Sequence, residues 1–375
     1  MSRWYSYHPH VVIRRLGLLA LAVLVSSAVV LAQRPSDPGT LVEKGATALK
    51  EQRFGDALDA FAAASKLLPR DGSLCFAAGV AAFRLGRNGE AEDWFQRALK
   101  LDPNLGDAGV WLSEVQYRQG RTKEAVATLE DVQKRSPKTE GVEERLREWR
   151  KETQLQNRFY ESRGAHFSVL FEGPADEMLA RRVVEYLEAA YWRVGSALTA
   201  YPPDPITVVL YTTEQFRDIT RMPSWTAASY DGRIRVPIRG ALDQSERLER
   251  VLAHEYVHAV VAMLGGRNVP TWMNEGLAEV FENKGTDDAE AVLARTTTRP
   301  PLKALERGFT QLSDAQAHLA YAYSARAVRR MIDLRGAPAV VMLLQDLSRG
   351  AEFPSAFQQR IFMRYEDFEA LVARQ

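Results

Sequence analysis

The chain has 375 residues, 46% of them apolar, and its 49 basic and 48 acidic side chains leave a net charge of +1. That length accommodates two or three domains with substantial cores, and the near-neutral balance leaves no electrostatic footprint for nucleic acid. A single cysteine, Cys75, excludes an intramolecular disulfide and a cysteine-built structural zinc site.

Arg14 and Arg15 precede residues 16–32, LGLLALAVLVSSAVVLA, a run without charge. A basic segment followed by an apolar one reads as an export signal, and the run is also just long enough to stay as a membrane anchor. Either outcome puts the bulk of the chain outside the cytoplasm, in a periplasm or cell envelope. Residues 33–39, QRPSDPG, read as a linker.

The next hundred residues repeat themselves. Ala57, Phe61, Ala64 and Pro69 recur 34 residues later as Ala91, Phe95, Ala98 and Pro103, and again as Ala125, Leu129, Val132 and Pro137. Small residues at Gly45, Gly79 and Ser113 keep the register, and Gly86 and Gly120 fall where a turn between paired helices belongs. Residues 40–138 therefore resemble three tetratricopeptide repeats. The resemblance implies an all-α solenoid whose concave groove binds a protein partner or substrate. Residues 139–163 are charge-rich with Val142, Leu146 and Trp149 at helical spacing, and predict a capping and linking helix.

From residue 164 the pattern changes. HFSVLF (166–171) and ITVVLY (206–211) read as strands around a long helix over 175–199, with Leu179, Val183, Tyr186, Leu187 and Ala190 on one face. TEQFRDIT (213–220) reads as a short helix with Thr213 as its cap, and SYDGRIRVP (229–237) as extended chain turning at Asp231-Gly232, with Pro237 marking an edge strand. Helices follow to the end. Asp243 and Glu246 form a capping box for a helix that runs to Leu264 and stops at Gly265-Gly266.

That helix contains VLAHEYVHAVVAML (251–264). His254 and His258 lie one turn apart on one face, so both imidazoles can reach one ion. Glu255 points beside that ion and can take a proton from water there, the H-E-x-x-H arrangement. A catalytic zinc needs a third protein ligand and an open position. Val261 and Leu264 exclude the extended pattern with a third histidine. A second helix, PTWMNEGLAEVFENK (270–284), offers Glu275 and Glu279 on one face across a short loop. Glu275 would face the histidines, and Glu279 would accept an N–H from a ligating histidine.

HEYVH followed by WMNEGLAE resembles the gluzincin metallopeptidases, over roughly residues 165–345. The resemblance implies an α+β zincin-like domain over 164–375 with a mostly helical C-terminal part. It also implies Zn²⁺ on His254, His258 and Glu275, and Glu279 as the acidic partner behind them. An edge strand that holds substrate backbone is implied too, and 229–237 stands in the right order for it. HLAYAYSARAVRRMI (318–332) offers Tyr321, Tyr323 and His318 as donors to the transition state, and Tyr321 best matches the family's AY segment. Arg326, Arg329 and Arg330 read as a solvated face. No acidic amine-binding motif of the aminopeptidase kind is present, which favours an endopeptidase acting on protein or peptide. The competing reading is a non-catalytic interaction scaffold with a vestigial or structural metal site.

Overall fold

The structure, a computed structural model, describes residues 37–220, 229–238, 245–266, 268–282, 287–296 and 299–374. The expected leader at 1–32, most of the expected linker and Asp243 lie outside the described residues. Among those described, no helix is long and apolar enough to cross a membrane. The chain is mostly helical, with one small sheet.

Three helix pairs come first: α1 (Pro38–Lys50) with α2 (Phe54–Leu67), α3 (Gly72–Arg84) with α4 (Asn88–Leu101), and α5 (Gly106–Arg118) with α6 (Thr122–Arg135). The repeated positions form their core: Ala57, Phe61, Ala91, Phe95, Ala125 and Leu129 are all fully buried. The small residues are required by close approach. A Cβ at Gly45 would lie 2.8 Å from the Phe61 ring and one at Gly79 2.6 Å from the Phe95 ring. Ser113 is buried in the same register, its hydroxyl donating to the Val110 carbonyl at 2.7 Å. Gly86 (φ 78°) and Gly120 (φ 80°) make the left-handed turns expected of them, and Gln52 (φ 60°) makes the equivalent turn in the first pair.

Helix α7 (Val142–Gln156) closes the array by burying Val142, Leu146 and Trp149. It is shorter than the expected linking helix over 139–163. Phe159–Arg163 is instead a strand, β1, because its backbone pairs antiparallel with β2 (Phe167–Glu172). The remaining elements of the sheet follow: α8 (Glu177–Leu198), β3 (Ile206–Tyr211), α9 (Thr213–Thr220), β4 (Ser229–Tyr230) and β5 (Ile234–Pro237). The strand order is β1-β2-β3-β5-β4, with β2, β3 and β5 parallel and the two outer strands antiparallel to their neighbours. Two local expectations change. The cap of α9 is Thr212, whose hydroxyl accepts from Gln215 N at 3.2 Å, in place of Thr213. Pro237 ends an inner strand, opposite Tyr211, and the edge belongs to β4.

One continuous core joins α8 and the sheet to the C-terminal helices. These are α10 (Ser245–Gly265), α11 (Thr271–Phe281), α12 (Asp287–Ala294), α13 (Asp314–Ser348, kinked at Gly336), α14 (Phe353–Ile361) and α15 (Tyr365–Ala373). The two halves of the chain touch along the turn edge of the repeats. Gly350 packs on the Gln52 carbonyl, Gly86 on Ala262, Gly266 on Arg84, Gly120 on Thr207 and Gly232 on Arg118. All three left-handed repeat turns thus abut the second domain.

Candidate metal centre

Helix α10 presents His254, Glu255 and His258, and α11 packs beside it to present Glu275. One ligand atom from each of His254, His258 and Glu275 falls within 4.8 Å of the others. Glu275 Oε2 is 3.4 Å from His254 Nε2 and 3.3 Å from His258 Nε2. Two atoms bonded at about 2.0–2.1 Å to one tetrahedral ion lie about 3.3 Å apart, so the donor set fits an ion of zinc's size.

The ring orientations suit the same use. His254 Nδ1 donates to Glu282 Oε2 at 3.0 Å, and His258 Nδ1 donates to Asn274 Oδ1 at 3.1 Å. With the Nδ1 protons held there, each Nε2 lone pair turns toward Glu275. Glu282 therefore takes the place expected of Glu279, whose carboxylate is 3.9 Å from His254 Nδ1. Glu282 lies seven residues after Glu275, two turns on along the same face, whereas Asn274 is only its chain neighbour.

Glu255 is buried, and its Oε2 has no hydrogen-bond partner among the described residues. A buried carboxylate oxygen without a partner is costly, and a polar ligand or water beside the three donors would satisfy it. Burial pushes the Glu255 carboxyl above its usual range, opposed by His258 and His254 and reinforced by Glu275 and Asp231. Burial would also raise Glu275, but the two imidazoles hold it well below the carboxylate range. Burial works to lower His254, and the Glu275 and Glu282 carboxylates outweigh it and raise it. His258 rises in the same way through Glu275.

The helix α13 brings Tyr321 to the site, its ring centroid 6.3 Å from that of His254. Burial and the Glu275, Glu255 and Glu279 carboxylates push its phenol well up, so it stays a proton donor. The other two candidates do not converge here. Tyr323 is 1% exposed in the core, and His318 is exposed, its Nδ1 donating to the Asp314 carbonyl at 2.7 Å. Arg326 departs from the expected solvated face: its side chain is only 10% exposed and pairs with Glu290 of α12, while Arg329 stays exposed.

Comparison with known proteins places two kinds of domain on these halves. A profile described as the Peptidase MA superfamily matches residues 189–367, and tetratricopeptide-repeat profiles match residues 42–105 and 82–142. No curated protein matches the chain. Among solved structures, the chain is similar to the first TPR of Spaghetti (RPAP3) bound to the HSP90 peptide SRMEEVD. The identity is 21% and the TM-score 0.30, over 31% of this chain and 95% of that one. The protein thus carries tetratricopeptide repeats ahead of a Peptidase MA superfamily domain, a superfamily that is generally metal-dependent.

Proposed function

We propose that the protein is a zinc-dependent peptidase of the gluzincin type, acting on internal bonds of protein or peptide substrates. The observation that carries this is the convergence of His254, His258 and Glu275 beside Glu255, a buried carboxylate with an unpartnered oxygen. A structural site has no use for such a base, which weighs against the scaffold reading. When bound, zinc would supply Lewis-acid chemistry, polarising the scissile carbonyl and acidifying water.

Residues of the chain do the rest. Glu255 accepts the proton of the attacking water and hands it to the leaving amine, a role usually contributing about 10²–10⁴-fold. The Tyr321 hydroxyl donates to the oxygen on which negative charge develops. Glu282 and Asn274 hold the two imidazoles in the tautomer that frees Nε2. Among the described residues β4 is the outermost strand on the side beside α10, and there an extended substrate adds as a further strand. The repeats are the part of the chain suited to a protein partner or substrate. The basic-then-apolar leader supports export to a periplasm or envelope.

The test combines zinc content with digestion of an unfolded protein. The parent chain and Glu255→Gln should each hold one equivalent of zinc, and only the parent should cleave. Glu275→Ala should lose the metal. Normal cleavage by the Gln variant would remove Glu255 from the role of base.

A further inference from the structure

Arg235 lies on β5 and Arg233 immediately precedes the strand, and both side chains meet the repeats rather than water. Their side chains are 0% and 2% exposed. Arg233 Nη1 donates to Thr122 Oγ1 of α6 at 3.0 Å, and its Nη2 is 3.2 Å from Glu152 Oε1 of α7. The Arg233 guanidinium also lies 4.0 Å from the centre of the Tyr117 ring of α5. Arg235 Nη2 donates to the Tyr117 hydroxyl at 2.9 Å and sits 3.3 Å from Asp231 at the hairpin turn. Tyr117 and Tyr211 both donate to Glu152, the latter at 2.8 Å. Two cations and two carboxylates balance in this cluster. Among the described residues, every hydrogen-bond or ion-pair partner of the two guanidinium groups except Asp231 belongs to the repeat and capping helices.

Burying such a cluster is expensive, and equal-sized apolar residues would often be as stable. What the cluster supplies is a fixed geometry, and the element it fixes is the β4–β5 hairpin. The opposite side of that hairpin packs on α10, with Tyr230 against the core. Gly232 (φ 107°) seals the turn: a Cβ there would come within 2.8 Å of Arg118 Cβ.

On the peptidase reading above, we propose that the repeat array is a working part of the substrate site. In this reading Glu152 and Tyr117 are positioning residues that hold the β4–β5 hairpin so that its edge can receive substrate. The repeats then act on binding from within the chain, in addition to any partner their groove takes. Removing either anchor loosens the hairpin while leaving the metal ligands and Glu255 in place.

Hydrogen exchange and steady-state kinetics on the full chain test this, with Glu152→Gln and, as the gentler variant, Tyr117→Phe. Exchange at 229–238 should accelerate on the order of tenfold, the scale of coupling within one network, while protection in α10 and in the first repeat is unchanged. Zinc content should stay at the parent level. The KM for a peptide substrate should rise on the order of tenfold with kcat held, because uniform binding and not the chemical step is lost. Parent-like exchange in the hairpin of both variants would overturn the proposal. So would faster exchange spread over the whole chain, or a fall in kcat at constant KM. If the parent cleaves no peptide, the peptidase reading fails, and the exchange comparison still decides whether the repeats hold the hairpin.

Discussion

Gly276 gives the sharpest prediction, because it sits between Glu275 and the helix that carries Tyr321. A Cβ at this position would overlap the Ser324 carbonyl oxygen, lie 2.7 Å from its carbon and 2.8 Å from Val328 Cγ2. Ordinary Cβ contacts begin near 3.4 Å, so α11 and α13 must separate by at least about 0.6 Å, and more to clear the oxygen. The obstacle is backbone, which no rotamer change relieves. Overpacking of this kind costs about 1–3 kcal/mol, and a displacement near 1 Å of catalytic groups costs on the order of 10²-fold in rate. Gly276→Ala should therefore lower thermal stability, weaken zinc binding through Glu275 and reduce kcat on the order of 10²-fold. Gly308→Ala, at a glycine with nothing within 4 Å of its Cβ position, is the neutral control. Differential scanning calorimetry, zinc titration against a chelating dye and peptide turnover supply the three readings. A Gly276→Ala protein with parent-like zinc affinity and turnover would show that the approach of these helices does not set the site.

Further expectations concern single groups. Glu282→Ala should weaken zinc binding about 10–100-fold in a competition titration, and Glu279→Ala clearly less, because the hydrogen bond to His254 Nδ1 comes from Glu282. Tyr321→Phe should lower kcat about 10²–10³-fold with zinc content unchanged, whereas Tyr323→Phe should leave kcat alone. Burial works to raise Glu152, but Arg233, Arg235 and the two tyrosines hold it at about 2, below its ordinary 4.5. Its stabilising contribution is therefore fully present above pH 4.5 and is lost as pH falls toward about 2. The excess exchange rate of Glu152→Gln over the parent at 229–238 should therefore shrink toward unity as pH falls across that window.

The parts of this molecule legible in its sequence are those whose partners are close along the chain. His254 and His258 are four residues apart on one helix, and Glu275 follows after one short loop, so periodicity alone sets them face to face. The repeats are legible for the same reason, each small residue answering a large one in the neighbouring helix of its own pair. Contacts from afar were not visible. Arg326 reads as surface because Glu290 lies 36 residues away, and nothing near Arg233 in the chain points to Glu152, 81 residues upstream. Phe159–Arg163 carries charges that suit a helix, and it is a strand because β2 offers it an edge. Glu282 is not singled out by the four-residue spacing that pairs Glu275 with Glu279, because it stands seven residues after Glu275.

X-ray absorption at the zinc edge of the metal-loaded chain examines the converging donors most directly, alongside anomalous difference density from a crystal. The expected result is one ion with two imidazole nitrogens and a carboxylate oxygen at about 2.0–2.2 Å, from His254, His258 and Glu275, plus one exchangeable oxygen from solvent. An ion closed by four protein ligands, or seated between His254 and the Glu279–Glu282 carboxylates with His258 unbound, would contradict it.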